Sequence, residues 1–226
     1  MNTLIDFENN IGTIYMKNTN LLILSILLYI TMSIITVFVS ENITNREVEN
    51  TTLYDVVHEN THPYPKLYIP TYFVYFFIIY TIVRWIGIDF RILSLFFLSL
   101  SAILFMRLFT FTTTQTPPPS MKNNTWRIEH CKRNLLSHLG ISFSKFPDVC
   151  VDNMFSGHTS HIIVAITIIL LYSSYTIERI GLTLLGLLSL IAIITSRLHY
   201  TADVIVATII SSLTVFFISK KMKLVV

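Results

Sequence analysis

Between Leu21 and Val39 the chain reads LLILSILLYITMSIITVFV, an apolar stretch without a single charged residue. A helix that crosses a bilayer needs about 20 mostly apolar residues, so this stretch reads as a membrane span. Five more stretches read the same way. They are Leu67–Val83, rich in Tyr and Phe, Ile92 to about Phe111, Thr159–Tyr172, Ile180–Ser196 and Val204–Ser219. The fourth is short, and polar neighbours lining a protein cavity would support it. The expectation is an all-α, six-helix transmembrane bundle forming one domain over residues 1–226, with no internal repeat.

The composition agrees. The 226 residues are 53% hydrophobic and 13% charged, against roughly 25% charged in an ordinary soluble domain. A formal net charge of +3 is too small to point to nucleic acid. Residues 1–18 are polar and mixed in charge, with no basic n-region or small-residue cleavage site, so the first span is expected to act as a retained signal-anchor.

An even number of spans places both termini on one side. Arg84, Arg91, Lys220, Lys221 and Lys223 would then lie in the cytosol, as the positive-inside rule prefers. The opposite side also carries basic residues, Lys122, Arg127 and Lys132 among them, but in longer loops, which count for less. It would hold the acidic loop 40–66 and the sequons at Asn42, Asn50 and Asn123. The run Thr112–Ser120 contains Pro117, Pro118 and Pro119, which lack backbone donors and end the third span.

Two motifs carry chemistry. The first is Cys150-Val151-Asp152-Asn153-Met154-Phe155-Ser156-Gly157-His158-Thr159, and the second is His199-Tyr200-Thr201-Ala202-Asp203. Span four starts just after His158, and span five ends just before His199. Both histidines are therefore expected at one depth on one face, where ionisable side chains are costly and functional by default. Asp203 follows His199 by four residues, one helical turn, so its carboxylate should fix the imidazole tautomer and leave the other nitrogen as a nucleophile. His158 suits a general acid. His158 and His161 have a spacing that could hold a metal, but one such pair is too few ligands. Asp152 reads either as a helix-terminal anion or as a headgroup contact. Ser156 and Tyr200, inside the motifs, are candidate substrate contacts.

Together the motifs resemble the sphingomyelin synthase-like branch of the type 2 phosphatidic acid phosphatase superfamily. The resemblance covers most of the chain. It implies that His158, His199 and Asp203 form the catalytic set. It implies that Arg107, Thr110, Thr113 and Pro117 are counterparts of an Arg and a Thr-rich stretch at the exit of span three, with Arg107 placed for a lipid phosphate or snorkelling to the interface. It matches Leu53-Tyr54-Asp55 to an acidic motif after span one. This sequence departs in having Val151 where the family usually has Gly.

The implied reaction moves phosphocholine or phosphoethanolamine from phosphatidylcholine or phosphatidylethanolamine to ceramide. It releases diacylglycerol through a phosphohistidine, needs no metal or organic cofactor, and takes place at an exoplasmic site in the Golgi lumen or at the cell surface. Oligomeric state is open. A lipid phosphate phosphatase is the rival reading. It would require a Lys and an Arg-Pro upstream and an Arg six residues before the second histidine, where Ile193 stands; Arg197 lies only two residues before His199. A non-catalytic scaffold or a transporter is the other alternative, but a transporter should show broken spans near the midplane.

Cys131 and Cys150 fall in the loop between spans three and four, on the side read as oxidising. A disulfide between them would close a loop of roughly 20 residues and contribute about 3 kcal/mol in the chain-entropy model. Non-reducing peptide mapping of protein taken directly from membranes should recover the linked pair. Recovery of both thiols freely alkylated before reduction would exclude the bridge and count against an exoplasmic loop.

Overall fold

The computed structural model describes residues 2–43, 53–62, 68–114 and 155–224. Among these every regular element is a helix. The elements are α1 (Asn2–Ile43), α2 (Val56–Asn60), α3 (Tyr68–Trp85), α4 (Phe90–Thr113), α5 (Gly157–Tyr172), α6 (Thr176–Thr195) and α7 (Thr201–Lys221). Four helices are long and apolar enough to cross a membrane, over Asn18–Val39, Phe90–Thr110, Thr176–Thr195 and Thr201–Lys221. The protein is therefore an integral membrane protein built as a helix bundle. The expected spans two and four are the shorter apolar helices Ile69–Trp85 and Gly157–Tyr172. At 1.5 Å per residue the 16 residues of α5 reach only about 24 Å, less than the ~30 Å hydrocarbon layer. Asp152, Cys131, Cys150, Pro117, Asn50 and Asn123 lie outside the described residues.

A short helix is tolerated when protein rather than lipid surrounds it, and α5 is the most enclosed element. Ile162, Val164, Ala165, Ile168 and Ile169 have no exposed surface. α3, α4, α6 and α7 all pack against α5, while α1 lies along α4. The outward faces carry Ile23, Leu24, Leu27, Leu184, Leu188, Ile205 and Phe217, all exposed apolar side chains that suit lipid contact.

Hydroxyls within the helices bond to their own backbone. Thr36 Oγ1 donates to Met32 O at 2.7 Å, Thr81 Oγ1 to Phe77 O at 2.8 Å and Ser101 Oγ to Phe97 O at 2.7 Å. No partner from another helix is needed for these buried polar atoms.

The α3–α4 connection is tight. Gly87 adopts φ 79°, in the left-handed region that favours glycine, and Asp89 then caps α4 by accepting from Arg91 N at 2.9 Å. At the same end α3 is fastened to α6. Glu178 accepts from Tyr80 Oη at 2.6 Å, from Arg84 Nε at 2.9 Å and from the Ser173 hydroxyl. The Arg84 guanidinium also lies over the rings of Trp85, at 4.8 Å, and Tyr175, at 5.6 Å. The charges are thus paired and screened by aromatic faces.

Close approach of α5 and α6 depends on Gly186. A Cβ there would collide with Ile166 Cδ1 and stand 3.3 Å from Ile166 Cγ1. Overpacking of this kind costs about 1–3 kcal/mol, so Gly186→Ala should lower the thermal midpoint in detergent. Adding Ile166→Val removes the colliding methyl and should restore part of the loss. Strictly additive destabilisation in the double variant would refute the contact.

Candidate active site

The helical ladders stop at one end of the bundle in two places, just before α5 and between α6 and α7. Phe155 is buried there and Ser156 begins α5, its Oγ accepting from Thr159 N at 3.1 Å. This makes Ser156, read above as a substrate contact, the N-cap that starts the helix. His158 sits in the first turn of α5. Its Nε2 is 3.3 Å from Thr71 Oγ1 near the start of α3.

His199 lies in the break between α6 and α7 and is 4% exposed. The two imidazoles face each other with ring centroids 5.9 Å apart and planes inclined by 59°. The structure thus brings together the two histidines whose matched depth the span pattern implied.

Asp203 is present, with a different geometry from the expected helical turn. His199 precedes α7, whose first residue is Thr201. Asp203 stands in the first turn and its Oδ2 accepts from Tyr200 N at 3.1 Å. The same oxygen lies 3.9 Å from His199 Nδ1, within ion-pair reach but longer than a hydrogen bond. The carboxylate therefore does two jobs. It completes the helix start and presents negative charge to the Nδ1 edge of the imidazole.

Arg107, on α4, reaches the same place. A Cβ built on Gly157 would collide with Arg107 Nη1 and stand 3.1 Å from its Cζ. The glycine before His158 is thus the space that the guanidinium occupies, and a cation is held beside the first histidine. Thr110 Oγ1 donates to Arg107 O at 2.9 Å and Thr113 Oγ1 to Phe109 O at 2.9 Å. These two threonines bond to their own helix.

His161 is one turn beyond His158. Its Nδ1 lies 2.7 Å from Gly157 O, a carbonyl that can only accept, so Nδ1 carries the proton. Tyr29 Oη, 2.9 Å from Nε2, then donates to it. With both nitrogens engaged, His161 ties α1 to α5 and has no lone pair left for a metal.

The sequence did not reveal the contacts that join α2 to the chain on both sides of His199. Asp55 Oδ1 accepts from Val57 N at 3.0 Å and His58 N at 3.2 Å, capping α2. The same carboxylate accepts from Thr201 N at 2.6 Å and Thr201 Oγ1 at 2.9 Å. His58 lies 3.1 Å from Ile194 O, so its Nε2–H donates there, and its ring stacks on Tyr200 at 5.9 Å. Tyr200, read as a substrate contact, is 4% exposed, and its hydroxyl accepts from Leu53 N at 3.3 Å. Arg197, at φ 61°, donates to His58 O and to Thr61 O, the latter at 2.8 Å.

Burial pushes the Asp55 carboxyl up, but the hydrogen bonds from Thr201 and His58 outweigh it and hold the group below its usual range. Burial, aided by the Arg197 cation and opposed by Asp55, pushes His58 below 6.5. Around neutral pH α2 therefore docks with an ionised aspartate and a neutral histidine. The one sequence sign of this group was the acidic motif ending at Asp55.

His158, His199 and the Arg107 guanidinium thus meet at one end of the helix bundle. Residues 149–221 match the family model described as PAP2 superfamily C-terminal, and that segment contains His158, His199 and Asp203. The chain is also similar to curated proteins named phosphatidylinositol:ceramide inositolphosphotransferase. That of Oryza sativa subsp. indica is 32% identical over 130 residues, which are 52% of this chain and 37% of the relative. Number 3 of that name in Arabidopsis thaliana is 30% identical over 141 residues, 56% and 45% of the two chains. That of Trypanosoma cruzi (strain CL Brener) is 32% identical over 114 residues, 50% and 34%. The chain spans less than half the length of each of these relatives. The family match and the relatives support the PAP2-like, sphingomyelin synthase-like resemblance read from the motifs.

The Arg107–Gly157 contact makes a prediction for any assay of this site. Gly157→Ala should displace the guanidinium and lower kcat/KM by about 100-fold, the scale of a displacement of roughly 1 Å. Because the two residues share one contact, Gly157→Ala combined with Arg107→Ala should lose little more than Arg107→Ala alone. Multiplicative losses would show that the two act independently.

Proposed function

We propose that this chain is a lipid phosphotransferase that moves a phosphate-bearing headgroup from a glycerophospholipid to ceramide. The observation that carries the reading is the facing pair His158 and His199, 5.9 Å apart, with the Arg107 guanidinium against Gly157. In the first half-reaction His199 Nε2 attacks phosphorus, the bond to the diacylglycerol oxygen breaks, and His158 gives that oxygen a proton. Asp203, beside Nδ1, stabilises the positive imidazole. In the second, the ceramide primary hydroxyl gives its proton to His158 and attacks phosphorus, and the His199–phosphorus bond breaks. Arg107 neutralises the non-bridging oxygens in both steps. The exchange balances without a metal or an organic cofactor.

Phosphatidylcholine and phosphatidylethanolamine are the donors suggested by the motif resemblance. The names of the relatives favour phosphatidylinositol, which makes it the first donor to test. The phosphatase reading loses its best residue. Arg197, which follows Ser196 as in the phosphatase pair, directs its guanidinium to the carbonyls of His58 and Thr61. On our reading residues 1–226 form one membrane domain, with the site exoplasmic and both termini cytosolic. Support comes from Lys220 and Lys221 in the last turn of α7, at the opposite end of that helix from His199.

The purified chain of residues 1–226 in vesicles containing ceramide and each donor in turn should form diacylglycerol and a sphingophospholipid in equal amounts. Replacing His158, His199 or Asp203 by Ala should lower the rate by about 100-fold or more, because such units fail together. Near-wild-type transfer by a folded His199→Ala protein would sink this mechanism. Release of inorganic phosphate from phosphatidic acid, without transfer to ceramide, would establish the phosphatase instead.

A further inference from the structure

We propose that Asp55 is a positioning residue for the histidine pair, acting with Arg197 to fix the break that holds His199. The inference rests on the reading of His199 as the nucleophile. Its basis is how α2 grips the chain on both sides of that residue. Two residues before His199, Arg197 spans to His58 O and Thr61 O at the C-terminal end of α2. Two residues after it, Thr201 gives both its N–H and its hydroxyl to the Asp55 carboxylate at the other end of α2. The residue between, Tyr200, is stacked on His58 and bonded to Leu53 N.

The His199 ring faces that of His158, and the neighbours of His199 in the chain are anchored to α2. Arg197 also adopts φ 61°, which residues with a Cβ rarely do. Its guanidinium contacts to α2 oppose relaxation of that turn. Charge placement agrees, since an anion sits at the start of α2 and a cation at its end, each stabilising the nearby helix terminus. Asp55 is 8% exposed and Arg197 7%, so water weakens neither contact much.

Asp55 does more than cap α2. Asx capping of a five-residue helix needs one oxygen, and Oδ1 supplies it. Oδ2 reaches across to the first N–H of α7. Asp203 stands two residues further along that helix and holds Tyr200 N. Loss of Oδ2 as an acceptor would therefore let the α7 start rotate, and with it both Asp203 and His199.

The test uses the chain of residues 1–226 in detergent with the donor that supports transfer, and reports kcat per mole of folded protein. Asp55→Asn puts an amide where the donors of Thr201 point. It should lower kcat by about tenfold or more, with KM for donor and ceramide within about twofold. Thr201→Ala, which keeps the N–H bond and loses the hydroxyl, should give a smaller fall. The double variant should match Asp55→Asn alone. A separate readout needs no turnover: the 15N resonances of the His199 imidazole should shift in Asp55→Asn while those of His161 stay in place.

Unchanged kcat per folded mole, or a rise in KM at constant kcat, would overturn the positioning role. If wild-type protein transfers no headgroup, the functional reading fails by itself. The imidazole resonances then decide the positioning claim, and an unmoved His199 signal would refute it.

Discussion

A backbone inside a bilayer has no water to satisfy its N–H and C=O groups, so it stays helical until it reaches protein or the surface. That constraint decides where this chain can place chemistry. Only where a helix starts or stops is backbone free to turn and carry polar side chains, and two such breaks are drawn together at one end of the bundle. α5 starts at Gly157 and α6 stops at Thr195. His158 belongs to the first break and His199 to the second. The groups that end the helices are also the groups of the site: Ser156 caps α5 and Asp203 holds the start of α7.

The rest of the bundle keeps those two breaks in register. α5 is the shared partner of four other helices, and His158 stands in its first turn. Gly186 lets α6 approach α5 closely, and α6 leads directly to His199. At the far end Glu178 bonds to both Tyr80 and Arg84 of α3, so α3 and α6 are tied where they lie farthest from the site. Thr71, at the other end of α3, meets His158. The Tyr29–His161 bond joins α1 to α5 one turn from the same histidine.

Much of this was legible in the sequence, for a physical reason. Apolar runs long enough to cross a bilayer mark spans without any knowledge of packing, and the order of spans puts His158 and His199 on one face. The shortness of α5 was visible too. The residues around Asp55 were not. Asp55 meets Thr201 across 146 positions and Arg197 meets His58 across 139, and no periodicity of a short polar loop encodes such contacts. The Asp203 geometry was misjudged because a spacing of four suggests a helical turn, whereas the helix begins only after His199. Arg197 was compared with a phosphate-binding position by its distance in sequence; its side chain turns to α2 instead. Gly157 stood in the motif as a letter, and only the position of Arg107 explains why a side chain is unwelcome there.

Under the proposed function His199 carries the headgroup between two lipids, and one trapping measurement addresses this directly. Protein is incubated with donor phospholipid and no ceramide, quenched at alkaline pH where phosphohistidines survive, digested, and analysed by mass spectrometry. The account expects the mass of the headgroup phosphate on the peptide containing His199, and its disappearance when ceramide is added before the quench. The same adduct on His158, or transfer to ceramide at full rate with neither histidine ever modified, would contradict it.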